Sequence, residues 1–354
     1  MDGEKTIDVK KLLFDLSDLG TVTGREKAGA EKLQALVGRY YDECYFDRTG
    51  NAVFIKRCGR AGAKRILLDA HFDEIGFAVT GICDGGFLKI CPVGGFDRGI
   101  LPASEVLIYG KETLFGVIAA TPAHLQKPGE NKKNPKFEEL IVDTGYEKSE
   151  LEKLVSVGTL VGFRSKCTEL LGGRVCGGGF DDKACCAGIT AAVAMSDRDR
   201  LAGDVYAVYS VREEIGGEGP TLAAFDIRPN AALVCDVTFA QTPGTEKSQT
   251  VPYGKGPSVA ISATCDRDLG KRIMRIAKEK DIPLSVEVVD TDRGTNAAAL
   301  ALAMEGISCV NISIPIGNMH TYNEALEISD AENFARLLSA VICDGSVFEK
   351  EEWA

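Results

Sequence analysis

Length, composition and charge narrow the classes of protein that this sequence can encode. The chain has 354 residues, of which 45% are hydrophobic and 26% charged, which is typical of a globular protein large enough for two domains. Its 41 basic and 52 acidic residues give a formal charge of −11 without any basic cluster, so we expect no nucleic-acid partner.

The N-terminal segment and the cysteines indicate a cytoplasmic protein. The segment MDGEKTIDVKK is charged, and no window approaches the run of about 18 apolar residues that spans a membrane. The twelve cysteines are scattered apart from the adjacent Cys185 and Cys186, and no CxxC spacing occurs. We therefore expect reduced, mostly buried thiols, no thiolate zinc site and no membrane partner.

The first part of the chain alternates helical and strand patterns. It predicts helices from Val9 to Leu19 and from Arg25 to about Tyr40, then short strands at Glu43 to Phe46, Ala52 to Lys56 and Arg65 to Leu68. From about Gly81 to Phe163, short apolar runs separated by Gly, Pro and Asp predict an inserted small β-rich, barrel-like domain. A polar loop, QKPGENKKNPK, lies within this insert.

Helices and strands alternate again after Gly177. The predicted helices are Lys183 to Met195, Thr221 to Phe225, Asp268 to Lys280, Asn296 to Met304 and Ala331 to Cys343. The predicted strands are Val205 to Val211, Ala232 to Cys235, Ser258 to Ser262, Leu284 to Val289 and Cys309 to Ile314. This pattern predicts an α/β fold with a mostly parallel sheet and helices on both faces. We expect residues 1–72 and 166–354 to form this discontinuous domain and residues 73–165 to form the insert.

Two of the three histidines follow apolar strands. His71 comes after ILLDA and precedes Asp73 by two residues, so both side chains lie on one side of an extended segment and Asp73 could orient the imidazole. His320 follows VNISIPI in the segment GNMHTYNE. A histidine at a strand end is also a common structural residue, so neither position defines a site by itself.

Acidic residues occupy comparable positions. Asp181 and Asp182 precede a helix, Glu213 and Glu214 follow VYAVYSV, and Asp236 follows ALVC. Considered one pair at a time, the aspartates could be helix caps and the glutamates could lie in a solvated turn. Together at the carboxyl ends of strands, where ligands bind in α/β sheets, the carboxylates would repel one another without cations. Histidine with carboxylate suits Zn²⁺, Co²⁺ or Mn²⁺ better than Mg²⁺ or Ca²⁺.

The sequence resembles the glutamyl aminopeptidase family that includes the tetrahedral aminopeptidases, over nearly the whole chain. The motifs that carry the resemblance are TGRE (23–26), DRTGN (47–51), AHFDEIGF (70–77), GVIAATPAHL (116–125), GFDDKA (179–184), VREEIGGEG (211–219), CDV (235–237) and MHTYNE (319–324). The resemblance implies the co-catalytic zinc peptidase fold and a hydrolase. Its expected activity is metal-dependent removal of N-terminal residues from peptides, with water activated by two divalent ions, zinc or cobalt first and manganese next.

The resemblance also implies roles for individual residues. Asp181 would bridge the two metals, and Glu213 would be the general base. The remaining metal ligands would be His71 and Asp236 at one site, and Glu214 and His320 at the other. Asp73 would hold His71 in place.

Three positions depart from the family pattern. Lys183 stands where arginine is common, Asn296 where aspartate is common, and Gly317 with Asn318 where an Arg-Tyr pair is common. We expect these changes to affect substrate binding more than catalysis.

The resemblance further implies a homo-oligomer in which dimers assemble into a dodecamer through the β-rich insert.

Two alternative functions stay open on the sequence alone. A glycoside hydrolase of the endoglucanase type needs only two carboxylates, and related proteins have carried that label. A non-catalytic metal-binding or peptide-binding relative would account for the three departures. Histidines at metal-motif positions have no role in the glycosidase mechanism, and the presence of all five ligand residues and of Glu213 argues against the non-catalytic relative.

Overall fold

A computed structural model describes residues 7–125, 134–290 and 294–349. Most of the predicted polar loop lies outside these ranges. The helices are α1 (Val9–Ser17), α2 (Glu26–Val37), α3 (Lys148–Leu154), α4 (Phe180–Met195), α5 (Glu218–Ile227), α6 (Arg267–Glu279), α7 (Ala297–Ala301) and α8 (Ile328–Ile342). In the described ranges, no helix is long and apolar enough to cross a membrane.

The strands divide between a large sheet and a barrel. The sheet strands are β1 (Glu43–Phe46), β2 (Ala52–Lys56), β3 (Arg65–His71), β10 (Thr168–Glu169), β11 (Arg174–Gly177), β12 (Asp204–Ser210), β13 (Ala231–Phe239), β14 (Ser258–Ile261), β15 (Ser285–Val288), β16 (Cys309–Gly317) and β17 (Glu324–Glu327). The barrel strands are β4 (Gly76–Ile82), β5 (Leu88–Val93), β6 (Glu105–Tyr109), β7 (Thr113–Ala119), β8 (Ile141–Asp143) and β9 (Leu160–Phe163).

The large sheet is parallel in its centre, and its flanking pairs are antiparallel except for the parallel pair β14–β15. The central order β12–β3–β13–β16 is parallel throughout, as predicted. The pairs β1–β2, β10–β11 and β16–β17 are antiparallel, which corrects the expectation of a mostly parallel sheet. Their connections are short, whereas a parallel crossover requires a dozen or more residues.

Helices cover both faces of the sheet because its central strands are apolar on both sides. In β3, Ile66 and Leu68 pack into the core that contains α1, α4 and α8. Leu67, which points to the opposite face, packs with Ala224 of α5 and Leu300 of α7. The fold is therefore a mixed α/β fold with two cores separated by one sheet.

The barrel closes in the strand order β4–β5–β8–β7–β6–β9 and encloses its own apolar core. Phe77, Ile108 and Val161 are fully buried in that core. This confirms the predicted barrel-like module, while the exact limits proposed for the two domains remain a prediction. In the large sheet, the four parallel strands bring their carboxyl ends to one edge, and this edge carries the predicted site.

Candidate metal centre

The residues predicted to carry the chemistry converge at the carboxyl edge of the parallel strands. They are His71 at the end of β3, Glu213 and Glu214 in the turn after β12, His320 after β16, and Asp181 in the first turn of α4. Asp236 lies within β13 rather than beyond it. The strand predicted to end at Cys235 continues, because it pairs with β16 as far as Phe239.

His71, Asp181 and Asp236 form the first group of side chains that could hold a metal ion. The Nε2 atom of His71 lies 2.8 Å from Asp181 Oδ1 and 3.9 Å from Asp236 Oδ1. All three residues are buried. Their donor atoms lie within 4.8 Å of one another, close enough to converge on one divalent ion.

Asp181, Glu214 and His320 form the second group, again with donor atoms within 4.8 Å of one another. The Nε2 atom of His320 lies 3.3 Å from Asp181 Oδ2 and 3.5 Å from Glu214 Oε2. Asp181 therefore belongs to both groups, with one carboxylate oxygen facing each histidine. This is the arrangement expected of a carboxylate that bridges two ions.

The hydrogen bonds of His71 decide which ring nitrogen faces the carboxylates. Its Nδ1 lies 3.1 Å from the backbone oxygen of Asp73, and because a carbonyl oxygen only accepts, Nδ1 carries the proton. Nε2 then presents a lone pair to buried carboxylates, which is unfavourable unless a proton or a cation lies between them. This set of nitrogen and oxygen donors fits a divalent transition-metal ion.

The electrostatics also favour cations in this place. Burial, reinforced by the charge of Asp182, raises the pKa of Asp236 well above its ordinary value. Burial and the charge of Asp181 do the same to the pKa of Glu214. Burial acts to lower the pKa of His71, but its hydrogen bond to Asp181 contributes to a pKa well above the usual range. Bound cations would compensate these carboxylates without protons.

Glu213 borders the two ligand groups but belongs to neither of them. It lines the same cavity as Asp181 and His320. Burial raises the pKa of Glu213, and the charge of Asp181 adds to the increase, while His71 opposes it. A carboxylate beside the ligands, with its own oxygens outside both groups, is suited to proton transfer.

Asp73 anchors the turn that carries both glutamates. Its buried carboxylate accepts the backbone N–H of Glu213 at 3.1 Å and of Glu214 at 3.4 Å, and the hydroxyl of Thr23 at 2.7 Å. The same carboxylate lies 3.7 Å from His71 Nδ1, whose hydrogen bond is to the Asp73 backbone oxygen. Asp73 thus contacts the imidazole through its backbone and the turn through its side chain.

Glu324 supports the centre although it is not among the predicted site residues. It is buried, and its Oε2 accepts the N–H of Asp181 at 3.1 Å while its Oε1 accepts the N–H of His320 at 3.0 Å. One carboxylate therefore fixes the backbone at two of the predicted ligands. The only sequence signal is its position four residues after His320 in the MHTYNE motif.

Lys183, the first departure from the family pattern, faces the protein interior. Its side chain is fully buried, and its ammonium donates to Glu74 Oε1 at 2.5 Å and to Thr21 Oγ1 at 2.8 Å. This ion pair joins the start of α4 to the segments that flank β3. The expected effect of this departure on substrate binding stays a prediction.

Asn296 and Gly317 have different surroundings. Asn296 is buried and donates through Nδ2 to Asp69 Oδ2 at 2.8 Å, and burial raises the pKa of Asp69 to about 7. Gly317 lines the cavity beside the centre, and a Cβ atom there would lie 2.2 Å from the hydroxyl oxygen of Tyr253. Tyr253 therefore occupies the space that a larger residue would need.

Solved structures with this architecture indicate the class of protein. An aminopeptidase from the archaeon Desulfurococcus kamchatkensis matches with a TM-score of 0.87 and 31% identity, over 94% of each chain. The TET1 peptidase of Pyrococcus horikoshii, which can assemble into a tetrahedron or a large octahedral shell, matches with a TM-score of 0.83 and 29% identity, over 94% of this chain and 98% of that one. The class is that of the metal-dependent aminopeptidases.

Sequence comparison defines the family within that class. The lysyl aminopeptidase of Pyrococcus furiosus is 31% identical over 328 residues, which cover 91% of this chain and 93% of that protein. The model of the M42 glutamyl aminopeptidase family matches residues 50–337, and the chain belongs to this family. The resemblance drawn from the motifs is confirmed. The glycoside hydrolase alternative is wrong, because the family is one of aminopeptidases.

Proposed function

We propose that the two ligand groups are the two metal sites of this aminopeptidase and that Asp181 bridges them. His71 and Asp236 would complete one site, and Glu214 and His320 the other. The observation that carries the proposal is that the two oxygens of one carboxylate face different histidines. Asp181 Oδ1 lies 2.8 Å from His71 Nε2, and Asp181 Oδ2 lies 3.3 Å from His320 Nε2. Zinc or cobalt is the proposed ion, with manganese as the alternative, because imidazole and carboxylate ligands suit all three.

The proposed mechanism assigns proton transfer to the protein. Two divalent ions in these sites would lower the pKa of a water and polarise the scissile carbonyl. Glu213 would accept the proton of the attacking water and deliver it to the leaving amine. Asp73 would hold the backbone of Glu213 in place by accepting its N–H. Glu324 would hold the backbone of Asp181 and His320 in the same way.

Removal and return of metal test this function. Chelation should abolish release of p-nitroaniline from aminoacyl-p-nitroanilides, because the cations supply water activation and balance the buried carboxylates. Addition of zinc, cobalt or manganese to two ions per chain should restore it. Carboxymethylcellulose should remain uncleaved in both preparations. Full activity in protein shown by elemental analysis to be metal-free would contradict the proposal.

The proposal extends to assembly and location. We propose that residues 73–165 form a dimerisation domain and residues 1–72 with 166–354 the catalytic domain, with dimers assembling further into a dodecamer. The support is the closed barrel and the ability of the P. horikoshii peptidase to form closed shells. Native mass spectrometry tests the assembly. We also propose action in the cytoplasm on peptides, since no disulfide joins any of the twelve cysteines, all of which lie in the described ranges.

A further inference from the structure

A large open cavity of about 1430 Å³ extends from the candidate metal centre. Asp236, Glu213 and His320 line it at the end next to the centre, and β13, β15 and β16 form a wall beyond. An aminopeptidase must hold the side chain of the N-terminal residue beside the scissile carbonyl. If the proposed function is correct, this cavity has the position and the volume to hold that side chain.

Glu287 of β15 places a carboxylate in the wall of this cavity. Its Oε1 accepts the hydroxyl of Thr238 at 2.7 Å, and its Oε2 accepts the hydroxyl of Ser258 at 3.1 Å. Thr238 follows Asp236 by two residues in β13, so the carboxylate is anchored about 6.6 Å along the strand from the metal centre. In the described part of the chain, Glu287 makes no ion pair. Two hydroxyl donors leave about half of the acceptor positions of a carboxylate unused.

Asn311 supplies an independent observation in the same wall. Only 4% of this residue is exposed, and its Nδ2 donates to Ser313 Oγ at 3.2 Å. Its amide oxygen has no hydrogen-bond partner among the described residues, although Asn311 lines the cavity. A buried acceptor without a donor costs free energy, so a ligand that donates a hydrogen bond to this oxygen would bind favourably.

Beyond the metal centre, the cavity carries negative charge. The exposed Glu246 lies in the same lining as Glu287, and the described residues that line the cavity include no lysine or arginine. Exposed apolar side chains, among them Phe239 and Val288, supply surface for a hydrocarbon stem. A cationic side chain on an apolar stem satisfies both features, whereas an acidic side chain would be repelled.

We propose that this cavity is the subsite for the substrate's N-terminal side chain and that Glu287 makes it select a positively charged residue, lysine or arginine. The ammonium or guanidinium donates to the free positions of the Glu287 carboxylate, and the stem lies on the apolar wall. Asn311 offers its unpaired oxygen as a further acceptor. Thr238 and Ser258 position the carboxylate by donating one hydrogen bond to each of its oxygens.

The first test compares p-nitroanilides of lysine, arginine, leucine and glutamate with the metal-loaded protein. We expect kcat/KM to be highest for lysine and arginine and lowest for glutamate. Glu287→Gln keeps the size of the side chain, and it should lower the lysine-to-leucine ratio of kcat/KM by about 10- to 100-fold, the effect of losing a hydrogen bond between charged groups. The loss should appear mainly in KM, since binding rather than chemistry is impaired.

Glu246→Gln is the matched control, because it removes the same charge from an exposed position in the same cavity. Its lysine-to-leucine ratio should stay within about 3-fold of the unmodified protein, as expected for an exposed charge screened by salt. Equal losses in the two variants would overturn the role of Glu287. A preference of the unmodified protein for leucine or glutamate would overturn the subsite itself.

Binding of free amino acids gives a readout that does not depend on hydrolysis. Calorimetry should show tighter binding of L-lysine than of L-norleucine, whose stem lacks the ammonium, and Glu287→Gln should remove the difference. Absence of metal-dependent hydrolysis of every substrate would refute the proposed function, and the lysine–norleucine comparison would still decide this inference. Metal-dependent hydrolysis of leucine substrates with no preference for lysine would refute this inference alone.

Discussion

Glu213 and Glu214 are adjacent in the chain but face different neighbours. Glu214 Oε2 lies 3.5 Å from His320 and belongs to a ligand group, whereas Glu213 belongs to neither group. Glu213→Gln should therefore keep both metal ions and lower kcat by roughly 10²- to 10⁴-fold, the usual effect of losing a general base. Elemental analysis and turnover on one preparation measure both quantities.

Glu214→Gln is the matched comparison, since it makes the same chemical change one residue away. It should weaken one metal site, and excess metal should partly restore its turnover. Equal metal loss in the two variants, or normal turnover in Glu213→Gln, would show that Glu213 is not the base.

Asp181 should be the most damaging ligand to replace. Its two carboxylate oxygens face different histidines, so Asp181→Ala removes a donor from both groups at once. We expect this variant to lose both metal ions, measured by elemental analysis after dialysis. Asp182→Ala is the control, because Asp182 belongs to neither group and accepts the N–H of His71 at 3.2 Å. Retention of two ions per chain by Asp181→Ala would show that the bridge is misassigned.

Among the elements, the start of α4 depends on a buried ion pair. Lys183 is fully buried, and Glu74, with 17% of its side chain exposed, is its anionic partner. Lys183→Met leaves a largely buried carboxylate without its cation, so the free energy of unfolding should fall by about 3 kcal/mol. The shift of the urea unfolding midpoint, together with its slope, measures this change.

Two further variants control this result. Lys183→Met combined with Glu74→Gln should recover much of the loss, because no unpaired charge remains. Lys148→Met breaks an exposed pair with Asp84 in the barrel region and should change the midpoint little. A Lys183→Met variant as stable as the unmodified protein would show that the pair does not hold α4 in place.

For the whole molecule, the carboxylate cluster makes stability depend on pH and metal. Burial raises the pKa of Asp236 and of Glu214, so the folded metal-free chain holds protons that the unfolded chain has released. Stability falls with rising pH wherever the folded state binds more protons, so the Tm of chelated protein should fall between about pH 5 and pH 8. The raised pKa of His71 acts in the same direction. Asp181, whose pKa is lowered, is ionised in both states across this window.

Metal-loaded protein provides the control for this prediction. Cations replace the protons of the cluster, so its Tm should vary less with pH, and the gap between loaded and chelated protein should widen as pH rises. Thermal unfolding in matched buffers measures both curves. A chelated Tm that rises across the window would contradict the raised carboxyl pKa values.

The sequence determined the candidate ligands and the broad architecture of the molecule. His71, Asp181 and His320 could be found because each stands in a short motif at the end of a strand or the start of a helix. The barrel could be expected because alternating apolar runs and turn residues act over a few positions. These signals are local, so they can be recognised in the sequence without knowing which distant segments pack together.

Only the tertiary structure decided how residues far apart in sequence meet. Asp236 proved to lie inside β13 because pairing with β16 extends the strand. The contacts of the Asp73 side chain with the glutamate turn span about 140 residues, and those of Glu324 with Asp181 span 143. The burial of Lys183 likewise depends on a partner 109 residues away. Such contacts depend on packing across the sheet, and local propensity carries no information about which distant segments pack together.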